Sequence, residues 1–198
     1  TDHATFAADA NQSATGDRVE AGTYVQAPNG RVLQGGFATS TAVANTVALG
    51  GPSSSLTGVI DQRAQTTVFA ETVADVQYIP APATFSSQAV ANAVQTNTTG
   101  ASHQDLAIRQ SNAASTTEAR TDVYVDNGWD LTVGANAGAN QAITANAGGS
   151  MLIQTDQANA GRVRADARVQ TNLQGQTVLA ARSVANETVA GNNDIYLK

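Results

Sequence analysis

The sequence lacks several residue types on which common protein classes depend. It has no Cys, one Met and one Trp, and aromatic residues make up 5% of its 198 positions. Without Cys, neither a disulfide framework nor a thiolate metal site can form. The sequence also contains no apolar run of the roughly 18 residues that a membrane-spanning helix needs. A disulfide-rich scaffold and a helical membrane protein are therefore excluded.

Charged residues are also scarce, at 13% of the chain. Ten basic residues face 16 acidic ones, which gives a formal net charge of -6. Proteins that bind nucleic acid need a basic surface for the phosphates, so we expect no nucleic-acid partner. The first residue is Thr rather than Met, as in a mature chain that has lost an export signal or in a fragment with a chosen boundary. We expect a secreted protein at the cell surface or outside the cell.

A repeat of about 47 residues organises the chain. The triplet Val43–Asn45 recurs at Val90–Asn92 one period later and at Val184–Asn186 a further two periods later, and Asn140 lies one residue from the position of the missing copy. These copies belong to segment A, which covers residues 32–49, 84–99, 130–147 and 177–191. Segment B repeats a Gln and covers residues 56–78, 105–125 and 151–171. We interpret the chain as one repeat domain, 1–198, with approximate units 1–31, 32–79, 80–127, 128–175 and a partial 176–198.

The segments alternate with period two, as β-strands do. From Arg162 to Val169 the even positions are charged or polar and the odd ones are Val or Ala, which predicts a half-buried strand. Turn-forming Gly, Pro and Asn residues separate the segments. We therefore predict an all-β fold of about four repeats. Two topologies fit it: a β-solenoid, in which copies of one segment stack, and a long-stranded antiparallel meander.

Charge alignment favours the solenoid. An offset of 46 residues between the second and third B segments aligns charges of opposite sign. The aligned pairs are Glu118 with Arg164, Arg120 with Asp166, and Asp122 with Arg168. Such pairs stabilise directly neighbouring strands. An offset of 47 between the first and second B segments instead places Glu71 by Glu118 and Asp75 by Asp122, which is unfavourable unless the register shifts, a bulge intervenes or a cation binds. The two Asn-Gly turns favour the meander.

Few residues suggest chemistry. His103 lies near Asp105, but sequence proximity is not catalytic geometry, and we interpret it as a loop residue. The acidic stretch Asp126–Asp130 resembles a calcium loop but is more typical of a hairpin turn, so a calcium site there stays open. Glu71 and Asp75 on one strand face are typical of a solvated surface, although a polysaccharide-cleaving enzyme could use such a pair. We expect no enzymatic activity, cofactor or catalytic metal.

The repeated polar and aromatic residues have structural interpretations. Side chains of one type at one period hydrogen-bond their copies in stacked strands, which predicts an amide ladder. Its members are Asn45, Asn92, Asn140 and Asn186. Tyr24, Tyr78 and Tyr124 end successive B segments and predict an aromatic stack at the sheet edge, with a sugar-binding strip as the alternative.

The Gln-x-Asn-Ala stretches at Gln110–Ala113 and Gln157–Ala160 resemble curlins, the repeats of secreted bacterial fibres. The match covers only the three B segments, because the A segments do not match. The B segments differ from curlin repeats in lacking their central Gly. The composition is similar to that of holdfast-anchoring surface proteins of stalked bacteria. Both resemblances imply export, surface assembly and adhesion.

These observations predict a structural subunit of an extracellular bacterial fibre or surface-anchoring apparatus, which assembles through β-edges or by strand exchange. Its expected partner is itself, with a cell-surface polysaccharide or an outer-membrane anchor protein as further candidates. A polysaccharide-binding or polysaccharide-cleaving β-helix and a viral tail-fibre segment are the alternatives.

Overall fold

The computed structural model describes residues 4–100, 102–114 and 116–193, which form strands joined by short turns and no helix. Sheet 1 contains β1 (Ala4–Ala7), β2 (Ala10–Ala14), β5 (Ser54–Ala64), β8 (His103–Asn112) and β11 (Ser150–Asn159). Sheet 2 contains β3 (Arg18–Arg31), β6 (Thr67–Ile79), β9 (Thr116–Gly128) and β12 (Arg162–Gln174). Sheet 3 contains β4 (Gly36–Pro52), β7 (Ala83–Thr99), β10 (Leu131–Ala147) and β13 (Thr177–Asn193).

Neighbouring strands within each sheet are parallel, and the chain passes once through the other two sheets between them. The chain visits the three sheets in the same order four times, which gives four stacked coils. Coil 1 holds β1 to β4, and coils 2, 3 and 4 hold the next three strands each. This confirms the predicted all-β solenoid, and the antiparallel meander is wrong. No helix long and apolar enough to cross a membrane occurs among the described residues.

Segment A contributes to one sheet, whereas segment B contributes to two. Segment A forms the long strands of sheet 3. Segment B was predicted as one strand, and that is wrong, because each copy bends at a corner and supplies one strand to sheet 1 and one to sheet 2. The stretch Asp126–Asp130 also differs from the prediction. It is not a hairpin turn, because β9 runs on to Gly128 and the chain then turns a corner into β10, which belongs to sheet 3 and pairs with β7 and β13.

The hydrophobic core fills the interior of each coil with small and branched side chains. Ala74, Val76, Phe85 and Val133 pack between sheets 2 and 3. Ile60, Leu106 and Ile108 pack between sheets 1 and 3, with Val47 and Val94 opposite them. A layer of Ala residues, including Ala70, Ala89, Ala119 and Ala137, separates the two groups. The coil is therefore narrow, as the shortage of large apolar residues predicts.

The strands of sheet 3 change their inward-facing parity at the repeated Ala-Asn step. In β7 the odd residues up to Ala91 are buried, and from Asn92 onward the even ones are buried. The regular register between β7 and β10 is also interrupted there, between Val90 and Asn92. The first half of the strand thus faces sheet 2 and the second half faces sheet 1, and Asn92 lies at the change.

Candidate functional site

The four predicted Asn residues form a column along the inside of sheet 3. Asn45 Nδ2 donates to Asn92 Oδ1 at 2.8 Å, Asn92 Nδ2 to Asn140 Oδ1 at 2.8 Å, and Asn140 Nδ2 to Asn186 Oδ1 at 2.7 Å. We call this column the Asn ladder. Asn92 and Asn140 are fully buried, so the first two bonds lie in the protein interior, whereas the bond to the exposed Asn186 is partly buried.

Each amide of the Asn ladder also binds the facing sheet. The Nδ2 groups of Asn45, Asn92 and Asn140 donate a second bond to carbonyl oxygens of sheet 1 at 2.8 to 2.9 Å. The acceptors are the carbonyls of Arg63, Ser111 and Ala158. Because a buried amide that lacks partners is costly, these bonds hold sheet 3 of each of the first three coils against sheet 1 of the next coil.

A second column of amides runs beside the first, on sheet 1. Gln62 Nε2 donates to Gln12 Oε1 at 2.8 Å, Gln110 to Gln62 at 2.8 Å, and Gln157 to Gln110 at 2.7 Å. We call it the Gln ladder. Each of the four Nε2 groups also donates to the sheet 3 carbonyl of the residue after the ladder Asn, at 2.9 to 3.1 Å.

The two ladders point in opposite directions. Along the Asn ladder each amide donates to the coil that follows it in the chain. Along the Gln ladder each amide donates to the coil that precedes it. Sequence reasoning detected the period of the Gln residues but missed the ladder. The signal was present, since the Gln spacing matches the Asn spacing.

A third polar row joins sheets 2 and 3. The hydroxyls of Thr23, Thr72 and Thr121 donate to the carbonyls of Thr39, Ser86 and Gly134 at 2.7 to 2.8 Å. Thr72 and Thr121 are also hydrogen-bonded to the hydroxyls of Ser40 and Ser87. Hydrogen bonds from polar side chains therefore join the sheets on both sides of the Ala layer.

The outer face of sheet 2 carries the predicted charge pairs. The register places Glu118 beside Arg164, Arg120 beside Asp166, and Asp122 beside Arg168. Within the part of the chain that the structure describes, the ion pairs form differently. Arg120 binds Asp122 on its own strand and lies 3.8 Å from Glu71, and Arg164 binds Asp166 on its own strand at 2.5 Å.

The predicted clash between like charges does not occur. Glu71 lies beside Arg120, and Asp75 lies beside Tyr124, because the register between β6 and β9 is two residues longer than the 47-residue period. The offset of 47 was therefore wrong for this sheet, and a register shift removes the repulsion. Glu71 also accepts a bond from the Tyr24 hydroxyl at 2.8 Å, and this bond raises the pKa of Tyr24.

Asp122 is the most buried charge on this face, with 2% of its side chain exposed. Arg120 Nε donates to its Oδ2 at 2.6 Å, and this hydrogen bond raises the pKa of Arg120. The other oxygen, Oδ1, has no hydrogen-bond partner in the described structure. Arg120 therefore supplies the hydrogen bond that the described structure gives to the Asp122 side chain.

The aromatic residues do not form the predicted stack. Tyr24 aligns with Val73, Tyr78 with Asn127, and Tyr124 with Asp75, so the three rings occupy different rows. Tyr24 and Tyr124 are 58% and 43% exposed. Tyr124 lines a shallow groove of about 300 Å³ on the outer face of sheet 2. Polar side chains that also line this groove are those of Asp75, Asp126, Gln170 and Asn172.

The remaining candidate residues form no reactive cluster in the part of the chain that the structure describes. His103 is exposed, and its Nδ1 lies 2.6 Å from the Ser150 hydroxyl. The Asp126 carboxylate accepts a bond from Asn172. No group of three or more acidic or His side chains among the described residues could hold a metal ion.

The comparison with known families decides the chain's affiliation. The family HfaD, holdfast attachment protein D, matches residues 1–198. The chain belongs to this family. Membership confirms the resemblance to holdfast-anchoring proteins, and it indicates a cell-surface adhesion role within a structural rather than an enzymatic family. No curated protein and no solved structure is detectably similar to the chain.

Proposed function

We propose that this protein is a structural subunit that anchors a holdfast to the cell surface and works as a rigid, exported spacer. The whole-chain family match carries the proposal. The architecture supports it, because a stack of nearly uniform coils crossed by two continuous amide ladders resists bending better than separate domains joined by linkers.

The spacer acts by physical connection rather than by chemistry. Its interior is filled with Ala, Val and hydrogen-bonded amides, and its outer faces carry paired charges and small polar side chains. One end of the stack would hold a cell-surface partner such as an outer-membrane anchor protein. The other end or the sides would hold further copies of the chain or the holdfast itself.

Attachment of living cells tests this function. In the source bacterium, deleting the gene should leave holdfast material without a firm link to the cell, so fewer cells should remain on a surface under flow. A plasmid copy of the wild-type gene should restore adhesion, and antibody should label the protein on intact cells. Adhesion of the deletion strain at the wild-type level, or labelling only after lysis, would contradict the proposal.

Direct polysaccharide binding is a second candidate function, favoured by the groove on sheet 2. Tyr124 offers a half-exposed ring, and Asp75, Asp126 and Gln170 offer hydrogen-bonding groups around it. Aromatic rings beside polar groups are typical of ligand sites with an amphipathic partner. Binding of purified holdfast polysaccharide should weaken in Tyr124→Ala and persist in Tyr24→Ala, which removes an exposed ring elsewhere on the same sheet. Equal binding by both variants would rule the groove out.

A further inference from the structure

The two ends of the coil stack carry complementary hydrogen-bonding groups. In coil 1, within the described residues, Asn45 Oδ1 accepts no hydrogen bond, and Gln12 Nε2 donates one, to the Thr46 carbonyl oxygen at 2.9 Å. The two ladders therefore end in coil 1 with a free acceptor on Asn45 and an unused N–H on Gln12. In coil 4, Asn186 Nδ2 makes one long bond of 3.3 Å, to the Gln157 carbonyl, which leaves an N–H unused.

 At the same end, among the residues that the structure describes, Gln157 Oε1 accepts one hydrogen bond, from the Thr188 hydroxyl, also at 3.3 Å.

The unused groups follow from the opposite directions of the two ladders. In the described part of the chain, Gln12 Nε2 makes a single bond, to the Thr46 carbonyl at 2.9 Å, so its second N–H points out of coil 1 where a preceding coil would accept it. Asn186 is the last donor of the Asn ladder, so its second N–H points out of coil 4 where a following coil would accept it. Each end therefore presents one amide donor and one amide acceptor in the positions that the other end requires.

Apolar side chains are exposed at the same two ends. Phe6 in coil 1 is 54% exposed, although its counterpart Leu56 in coil 2 is 2% exposed. Leu179 in coil 4 is 54% exposed, although its counterpart Val133 in coil 3 is fully buried. Both residues occupy positions that an adjacent coil covers inside the stack. Phe37 in coil 1, at 83% exposed, and Val178 in coil 4, at 57%, lie in one outward row at its two extremes.

We propose that copies of this chain stack head to tail, with coil 1 of one copy on coil 4 of the next. Head-to-tail contact is the arrangement that continues all three parallel sheets. If the register continues, Asn186 donates to the neighbour's Asn45, and the neighbour's Gln12 donates to Gln157. The inference depends on the proposed function only for its biological role, because a head-to-tail stack would lengthen the anchor by whole subunits.

A second copy fits these ends better than an unrelated chain does. An extended peptide could pair with one strand edge, but it would leave the other two edges and both ladder ends uncovered. Continuing the stack also places Val178 beside the neighbour's Phe37 and Arg164 beside the neighbour's Glu20, which joins an apolar pair and an opposite-charge pair. The match of three strands, two amides and these side chains identifies the occupant as this chain itself.

Variants that block one end each test the polarity. Phe37→Arg places a charge at the coil 1 end, and Val178→Arg places one at the coil 4 end, both at exposed positions that the fold tolerates. Thr132→Arg is the matched control, since Thr132 is an exposed member of the same row in coil 3. Sedimentation velocity should show wild-type protein and the control growing with concentration, while each end variant stays monomeric. An equimolar mixture of the two end variants should give a particle of twice the monomer mass and nothing larger.

Dimers of either end variant alone would overturn the proposal, because they would show that like ends meet. Loss of growth in the Thr132→Arg control would overturn it as well, because association would then run through the outer face of sheet 3. A wild-type protein that stays monomeric at every concentration would also refute stacking. None of these results would bear on the anchoring role, which the cell-attachment assay tests independently.

Discussion

Asn92 shows how a polar residue can hold an apolar interior together. It is fully buried, yet its Nδ2 donates to Ser111 and Asn140, and its Oδ1 accepts from Asn45. Leucine has nearly the same shape but offers none of these bonds, and it would leave amide and carbonyl groups unpaired in both neighbouring coils.

Replacing Asn92 by Leu should therefore lower the free energy of unfolding by roughly 1–3 kcal/mol. Asn97→Leu is the matched control, because Asn97 is an exposed Asn on the same strand. Urea unfolding followed by circular dichroism measures both. Equal unfolding midpoints for the two variants would show that the Asn ladder does not stabilise the fold.

Tyr24 offers a pH-dependent measure of the outer face of sheet 2. Its hydrogen bond to Glu71 raises the pKa of its hydroxyl above the ordinary value of 10.0. The bond contributes stability while Tyr24 is protonated, so that contribution is present below the unfolded pKa and is lost as the pH rises through the higher folded pKa. Glu71→Gln should lower the pH at which the Tyr24 phenolate appears in ultraviolet titration. Tyr24→Phe identifies its signal among the four Tyr residues, and an unchanged midpoint in Glu71→Gln would contradict the assignment.

At the scale of strands, the sequence predicted how the strands stack but not where the chain bends between sheets. The period-two pattern of β12 and the period of Asn45 and Asn92 were enough to predict parallel stacking and the Asn ladder. The bend inside segment B was not predictable, because its Gln-Arg-Ala and Ser-Asn-Ala stretches keep a strand-like pattern up to the corner. The like-charge clash was predicted because one period was applied to all sheets, whereas the same two coils pair with Glu71 beside Arg120 in sheet 2 and Asn92 beside Asn140 in sheet 3, so the two sheets differ by one residue in register.

The corners also bring successive coils into close backbone contact. A Cβ atom added to Gly161, between β11 and β12, would lie 2.0 Å from the Ala114 carbonyl oxygen of the coil before it. Gly161→Ala should therefore destabilise the protein by about 1–3 kcal/mol through overpacking. Gly134→Ala is the control, since its Cβ would meet no atom closer than 3.9 Å in the middle of β10. Thermal unfolding should separate the two, and a Gly161→Ala protein as stable as the control would mean that this corner yields easily.

For the whole molecule, the solenoid makes stability a sum over neighbouring coils. Removing coil 4, residues 150–193, should leave three coils that still fold, with a urea m-value near three quarters of the wild-type value. An internal deletion of residues 103–149 removes one coil as well but retains both ends, and it should give a similar m-value. Complete unfolding of both shortened proteins would show that the four coils fold only as one cooperative unit.

The same stack predicts how the protein carries tension. The backbone hydrogen bonds between coils run along the stack axis, so a pull on the outer faces of the two end coils loads a whole layer of bonds together. A pull on the two chain ends instead loads the outermost strand first and peels the stack one coil at a time. Each coil of 47 residues would then release about 160 Å of chain. A tether gripped by its faces would hold under load, whereas the same tether gripped by its ends would lengthen stepwise and absorb shock.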